Sequence, residues 1–144
     1  MDIQIIEDKE TDTQVIIQCR KIDDEVLRLK NHIELFDHRL QARKEHEWYL
    51  LNASDVLYFE SVDNRTFLYT ANDVMEIRQR LYELEDILPG QDFIRTSKSQ
   101  IININHVKSL RPEINRTIKA ELFNGEKLSV SRKYVPALRK LLSI

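Results

Sequence analysis

The chain has 144 residues, of which 42% are hydrophobic and 32% charged, with only two glycines and three prolines. This composition is typical of a folded domain and argues against a disordered chain; no apolar run approaches the roughly 18 residues of a membrane span. The acidic start lacks the basic and apolar regions of a signal peptide, so we expect a cytoplasmic protein.

The net charge of −2 conceals an uneven distribution along the chain. Residues 91–144 hold 11 Lys and Arg against 4 Asp and Glu, whereas residues 1–47 and 48–90 carry net charges of −4 and −5. A basic third within an acidic chain predicts a surface that attracts phosphate groups. If the segments interleave in space, however, the asymmetry cancels.

The first 40 residues are predicted to form a small N-terminal unit. Residues 3–6 and 14–19 are rich in β-branched residues and are separated by a polar stretch, so they predict a hairpin. The only cysteine, Cys19, is predicted to be a buried reduced thiol. Apolar residues then recur at spacings of four and three, which predicts an amphipathic helix: Ile22, Val26, Leu29, Ile33, Phe36 and Leu40. This stripe packs either on the chain's own strands or on the same stripe of a second copy.

From about residue 40 the hydrophobic period falls towards two, which predicts a run of strands. The predicted strands are residues 48–51, 56–62, 66–70, 74–77, 101–104, 107–110, 117–123 and 127–130. Asp63-Asn64 and Asn124-Gly125 lie between them as hairpin turns, and Asn124-Gly125 is the stronger candidate for a type I′ turn, in which both central residues have positive φ. Residues 78–88 and 133–142 are predicted as short helices, so the expected fold class is mainly β (α+β).

The sequence lacks the motifs of enzymes and metal sites. The four histidines show no ligand spacing, and Cys19 has no cysteine partner. Phosphate-binding glycine loops and the nucleophile-elbow motif are also missing. The carboxylates within residues 83–86 fit a solvated helix face. We therefore expect a protein that is not an enzyme and uses no metal or cofactor.

Cations and hydroxyls cluster at two places in the basic third. The first is residues 95–99, directly before a predicted strand, where Lys can reach guanine edges or phosphates and Ser and Thr hydroxyls can reach phosphates or bases. The alternative is a solvated loop whose Arg95 pairs with a carboxylate. The second is Ser131, Arg132 and Lys133, which could hold an anion before the last helix. The alternative is that Ser131 only caps that helix.

These clusters and their order resemble the LytTR family of DNA-binding domains. The similar elements are YFES (residues 58–61), FIRTSKSQIININHVKSL (residues 93–110) and NGEKLSVSRKYVPALRKLL (residues 124–142), and together they cover about residues 40–144. The resemblance implies an elongated domain of antiparallel β-sheets with short helices. It also implies a bacterial transcription regulator that reads the major grooves of duplex DNA with loops and not with a recognition helix.

Carried over by position, the resemblance implies DNA contacts from three loops. The candidate contacts are Asn64, Arg65 and Thr66 in the first loop (residues 64–66), Lys98 and Ser99 in the second loop (residues 95–99), to which its charge adds Arg95, and Arg132 and Lys133 in the third loop (residues 131–133). Phe93 and Asn103 also match the family, but we interpret them as structural: a core ring, and a side chain bonded to backbone. Ser97 stands where the family often has His, which leaves the base preference of the second loop open.

The sequence therefore predicts two parts. Residues 1–40 form the hairpin and helix that dimerise or bind a partner, and residues 41–144 form the DNA-binding domain. The residues ahead of the match are too few for the receiver domain of about 120 residues that many family members carry, so we do not expect control by a phosphorelay. By analogy with short family members, the regulator of this protein is expected to be a membrane protein.

A homodimer, or paired copies on repeated sites, is expected because one small β module makes few contacts with DNA. The alternative function is a protein-interaction module or anti-regulator that acts through the N-terminal helix.

Overall fold

The computed structural model describes residues 1–36 and 38–144, and within them the chain forms a seven-stranded and a three-stranded sheet with short helices. The elements in chain order are α1 (Asp24–Phe36), β1 (Arg39–Lys44), β2 (Glu47–Asn52), β3 (Tyr58–Val62), β4 (Arg65–Tyr69), β5 (Val74–Ile77), α2 (Leu81–Ile87), β6 (Phe93–Ser97), β7 (Gln100–Asn103), β8 (Val107–Pro112), β9 (Ile118–Leu122), β10 (Lys127–Val130) and α3 (Val135–Leu142). The strand order is β2-β1-β5-β4-β3-β7-β6 in the larger sheet and β10-β9-β8 in the smaller one. Every strand pair is antiparallel, which confirms the predicted fold class.

The larger sheet is covered on both faces. One face packs against α2 and contributes buried residues that include Leu40, Phe59, Leu68 and Ile101, with Leu81 and Leu84 from the helix. The opposite face meets the smaller sheet through Tyr58, Ile102, Ala120 and Leu122. Phe93 is buried against Phe59, with ring centroids 5.7 Å apart, so its predicted place in the core is confirmed. The two sheets and α2 thus form a layered core, and β6 and β7 belong to its larger sheet.

The last helix closes the smaller sheet. Val135 and Leu138 of α3 pack with Ile118 and Val130, and Ile94 of β6 lies against the same cluster. Because α3 and β6 share this cluster, the segment that precedes α3 is fixed next to β6. This contact places the third loop beside the second.

Asn103 has the structural role predicted for it. Its side chain is fully buried, its Nδ2 donates to the Val56 carbonyl at 2.9 Å, and its Oδ1 accepts from the Asn105 amide at 3.0 Å. A buried amide with both ends satisfied fixes the end of β7 against the segment before β3.

The two predicted hairpin turns exist, but the type I′ turn is Asp63-Asn64 and not the stronger candidate, Asn124-Gly125. Asp63 and Asn64, between β3 and β4, have φ values of 50° and 63°, as a type I′ turn requires. Between β9 and β10 only Gly125 has a positive φ, so the type I′ assignment of Asn124-Gly125 is wrong. The reason is length: the connection from Leu122 to Lys127 is four residues long and not two.

The N-terminal hairpin is also a wrong prediction. Residues 1–23 contain neither strand nor helix, and Ile5 is 95% exposed. A short two-stranded hairpin is marginal in water by itself, and in this structure no other part of the domain covers its apolar residues. Cys19 is exposed for the same reason, contrary to the predicted buried thiol.

The predicted N-terminal helix is confirmed but is shorter than expected. It ends at Phe36, and Leu40 is buried in β1, where strand pairing with β2 and β5 replaces the helical stripe. The helical prediction also crossed Asp37, which lies outside the described residues. In the described part of the chain, no helix is long and apolar enough to cross a membrane.

Candidate nucleic-acid interface

Backbone hydrogen bonds join the three predicted loops around β6. The Ser61 amide at the end of β3 donates to the Ser99 carbonyl at 2.8 Å, which connects the hairpin of the first loop to the second. The Ser131 amide of the third loop donates to the Thr96 carbonyl at 2.8 Å. Segments that are distant in sequence therefore converge on the β6–β7 hairpin.

In the first loop, Asn64 is exposed and its backbone is anchored. The Asn64 carbonyl accepts from Arg80 Nη1 at 2.8 Å, and its positive φ is tolerated because a short polar side chain suits the left-handed region. Its amide side chain lies on the surface, where it can reach a base edge or a phosphate.

Arg65 of the first loop is paired with a carboxylate. Its Nε donates to Glu76 Oε1 at 3.0 Å and its Nη2 to Glu76 Oε2 at 2.6 Å. These hydrogen bonds raise the pKa of Arg65 and lower the pKa of Glu76. The Arg65 side chain is nevertheless largely exposed, so its guanidinium is accessible but must exchange partners to bind DNA.

Thr66 cannot contact DNA in this structure. It is only 3% exposed, because it lies in β4 between Ser61 of β3 and Ile77 of β5. Its predicted role in binding is therefore wrong, and it belongs to the packed sheet. The physical reason is register: in a strand, alternate residues face opposite sides.

In the second loop, Arg95 turns inward while Lys98 and Ser99 face solvent. Arg95 Nε donates to the Ser97 carbonyl at 2.8 Å, Nη2 donates to the Lys98 carbonyl at 2.6 Å, and Nη1 forms an ion pair with Glu85. The Arg95 side chain is 22% exposed. The alternative that pairs Arg95 with a carboxylate thus describes the structure better than a DNA contact does.

In the third loop, Arg132 and Lys133 are exposed in a 3-10 turn that ends at Tyr134. The Lys133 ammonium lies 5.8 Å from the centroid of the Tyr134 ring, and the Ser131 side chain makes no capping hydrogen bond. Within the described residues, no carboxylate lies in ion-pair distance of Arg132 or Lys133. Both cations are therefore available to an anionic partner.

Sequence reasoning missed Arg80 and Tyr82. A cleft of about 290 Å³ lies between the second loop and the start of α2, and its lining includes Arg80, Tyr82, Arg95 and Lys98. Arg80 keeps part of its guanidinium free of the Asn64 carbonyl, and the Tyr82 side chain is exposed. The only signal in the sequence was a pair of arginines in an otherwise acidic segment, and their location depends on the connection between β5 and α2.

The exposed donors of the interface suit duplex DNA. Lysine and arginine neutralise phosphates, arginine and asparagine can bind base edges with two hydrogen bonds, and serine can donate to either. No group of three or more His, Cys, Asp or Glu side chains in the described part of the chain could hold a metal ion.

The comparisons with known proteins agree with this chemistry. A model of the LytTr DNA-binding domain matches residues 46–143, which contain all three loops. Proteins of Staphylococcus aureus strains MSSA476 and MW2, named as HTH-type transcriptional regulators, are 34% identical over 138 residues, which cover 94% of this chain and 93% of theirs. A solved LytTr DNA-binding domain of a Bacillus cereus protein, described as a methyl-accepting/DNA response regulator, is 31% identical with a TM-score of 0.71, and the match covers 74% of this chain and 97% of that one.

The fold of the matched region agrees with the family and not with the helix-turn-helix in the relatives' names. A helix-turn-helix joins two helices by a turn of three or four residues, whereas α2 and α3 are separated by five strands, β6 to β10. The family is one of DNA-binding transcription regulators, which is not an enzyme class. With the family matched over more than half of the chain, this protein belongs to the LytTR family of DNA-binding domains and is a DNA-binding transcription regulator.

Proposed function

We propose that this protein acts in the cytoplasm and binds specific duplex sequences by inserting its loops into the major groove. The observation that carries the proposal is the hydrogen-bonded junction of the three loops at β6. This junction supports the proposal because it holds the segments that carry the exposed Asn64, Lys98, Ser99 and Arg132 against one sheet. Side chains held by a rigid scaffold can match the fixed donor and acceptor pattern of base edges.

The loops divide the work between base readout and phosphate binding. Arg132 has a planar guanidinium and no carboxylate within ion-pair distance, so it is the best candidate for two hydrogen bonds to guanine O6 and N7. Lys98 and Ser99 supply donors at the tip of the second loop. Lys133, a point charge beside an aromatic ring, is assigned to a phosphate.

The test is selection from a random pool of duplex DNA at two salt concentrations, followed by sequencing of the retained fraction. Wild type is expected to enrich a short motif and to lose affinity steeply with salt. The reason is that each phosphate bound by the protein releases condensed counterions, and this release is less favourable at high salt. Arg132→Ala is expected to lower binding of that motif by about 10-fold and relax the preference at one base pair, as the loss of a bidentate contact predicts. Lys133→Ala is expected to weaken binding of all sequences alike.

Failure to enrich any motif would overturn sequence-specific binding. An equal loss on all sequences for Arg132→Ala would remove that residue from base readout and leave it a phosphate contact.

We further propose that two copies act together through the N-terminal part. Several apolar side chains outside the core support this: Ile3, Ile5, Ile6, Val15, Ile16, Trp48 and Leu50 are exposed. Trp48 and Leu50 lie on β2, an edge strand whose free backbone groups can pair with another chain. Pairing two modules also multiplies their affinity for repeated sites.

A further inference from the structure

The tip of the second loop is a two-residue turn with an unfavourable backbone conformation. Ser97 pairs with Gln100, so Lys98 and Ser99 form a two-residue hairpin turn, but neither has a positive φ. Two-residue hairpins favour turns with positive φ, because only those match the twist of the strands. The register also shifts between Arg95 and Ser97, which leaves Thr96 as a bulge. The Ser99 amide donates to Ser97 Oγ at 3.1 Å within the turn, and the Ser99 carbonyl accepts from the Ser61 amide at 2.8 Å. The carbonyls of Ser97 and Lys98 need further contacts from outside the turn.

Arg95 supplies those contacts from beneath the turn. Its guanidinium donates to the carbonyls of Ser97 and Lys98, at 2.8 and 2.6 Å, and so fixes the peptide groups on both sides of Lys98. Glu85 of α2 holds the third edge of the guanidinium through an ion pair. The tip is thus connected through Arg95 to a helix that packs on the main core.

We propose that Arg95 is a positioning residue, which sets the direction of the Lys98 and Ser99 side chains towards DNA without contacting DNA itself. The proposal rests on the proposed function. Three of the five N–H groups of the guanidinium already have protein partners, and only 22% of the side chain is exposed. Lysine cannot replace Arg95, because a single ammonium cannot hold two carbonyls and a carboxylate in one plane.

Substitution of Glu85 distinguishes a positioning role from a purely electrostatic one, because the two roles predict opposite changes in DNA binding. A carboxylate near DNA repels phosphates, so its removal should strengthen binding to every sequence if charge alone matters. If Glu85 holds Arg95, its removal lets the tip move and weakens the preference for the correct motif. Asp86 is the matched control, because it lies on the same helix, is exposed and carries the same charge.

The experiment compares Arg95→Lys and Glu85→Gln with the controls Arg28→Lys, on α1 outside the matched region, and Asp86→Asn. Each protein is titrated with duplexes of the enriched motif and of a scrambled sequence. Arg95→Lys is expected to lose about 10-fold in affinity for the motif, the scale of one readout contact, and less than about twofold for the scrambled duplex. Glu85→Gln is expected to lose motif preference in the same direction, and both controls are expected to keep it.

A combined substitution completes the test. If Arg95 acts through Lys98 and Ser99, then adding Arg95→Lys to the combined Lys98→Ala and Ser99→Ala variant changes motif affinity by less than about twofold, since interacting residues are not additive. Three results would overturn the positioning role. The first is that the losses of affinity multiply fully when the substitutions are combined, and the second is that Arg95→Lys loses affinity equally for both duplexes. The third is that Glu85→Gln gains preference for the motif. If wild type enriches a motif and Arg95→Lys binds it normally, the positioning proposal alone fails. If wild type enriches no motif, the proposed function fails as well.

Discussion

At the scale of single residues, the Arg65–Glu76 pair decides how much of the first loop is available to DNA. The ion pair is made at neutral pH, where Glu76 is ionised, and the hydrogen bonds from Arg65 lower the pKa of Glu76 below its ordinary value. Its contribution to stability is present above the ordinary glutamate pKa and is lost as pH falls through the lowered value. To bind DNA near pH 7 as proposed, Arg65 would have to leave Glu76.

We predict that Glu76→Gln strengthens DNA binding. The substitution removes a repelling charge and frees the Arg65 fork, so affinity should rise for all sequences and the salt dependence should steepen by about one phosphate contact. The matched control is Glu113→Gln, which frees Arg111 from a comparable ion pair on β8, outside the three loops. Equal gains from both variants would mean that net charge, and not Arg65, is responsible.

Asn103 is predicted to stabilise the fold without taking part in binding. Asn103→Ala leaves the buried Val56 carbonyl without its donor, so the free energy of unfolding should fall by about 2 kcal/mol in urea denaturation. The exposed Asn72 gives the control, and Asn72→Ala should change stability by less than about 0.5 kcal/mol. A change in the enriched motif for Asn103→Ala, measured where the protein is folded, would contradict a purely structural role.

At the scale of elements, the cleft between the second loop and the start of α2 is predicted to hold a backbone phosphate of the DNA. Arg80, at the start of α2, and Lys98 lie on its walls. Arg95 also lines the cleft, but its ion pair with Glu85 leaves the phosphate to the other two cations. Arg80→Gln should weaken binding of all sequences alike and reduce the salt slope by about one. Arg78→Gln is the control, because Arg78 lies over the Trp48 ring, 5.2 Å from its centroid, and does not line this cleft. A loss confined to one motif would instead assign Arg80 to base readout.

Strand periodicity predicted most elements but missed two. The bounds of β5 and β10 agree with the predicted residues 74–77 and 127–130. β1 was missed because only Leu40 and Ala42 of its six residues are buried, and the preceding helical stripe extends into it. β6 was missed because the bulge at Thr96 interrupts its alternation. Both strands depend on tertiary pairing, which a local pattern does not contain.

The same distinction applies to the candidate site. Motif resemblance identified the segments that converge at β6, including the exposed Lys98 and Arg132. It did not show that Thr66 is buried, which follows from pairing with β3 and β5, or that Arg95 turns inward, which depends on Glu85 from another element. The residues of a site can thus be listed from sequence, whereas the partner of each side chain is a property of the folded chain.

At the scale of the whole molecule, the protein combines a DNA-binding domain that has a buried core with an N-terminal part whose apolar side chains are exposed. The solved Bacillus cereus domain corresponds to 74% of this chain, whereas the Staphylococcus aureus relatives match along 94% of it. The apolar residues before α1 lie outside any core, although burial of one such side chain contributes about 1.5 to 3 kcal/mol. Association with a second copy, as proposed above, would provide that burial.

We predict that the intact protein is a dimer at micromolar concentration in sedimentation velocity, and that the combined substitution Ile3→Ser, Ile5→Ser and Ile16→Ser makes it a monomer. The variant should bind a single motif normally but lose about 100-fold in affinity for a duplex with two motifs in phase, because the second contact is no longer intramolecular. Ile114→Ser is the control, since Ile114 is 87% exposed but lies in the turn between β8 and β9. A wild-type monomer with no preference for paired motifs would contradict self-association, and would assign the same apolar residues to a different protein, such as a membrane-bound regulator.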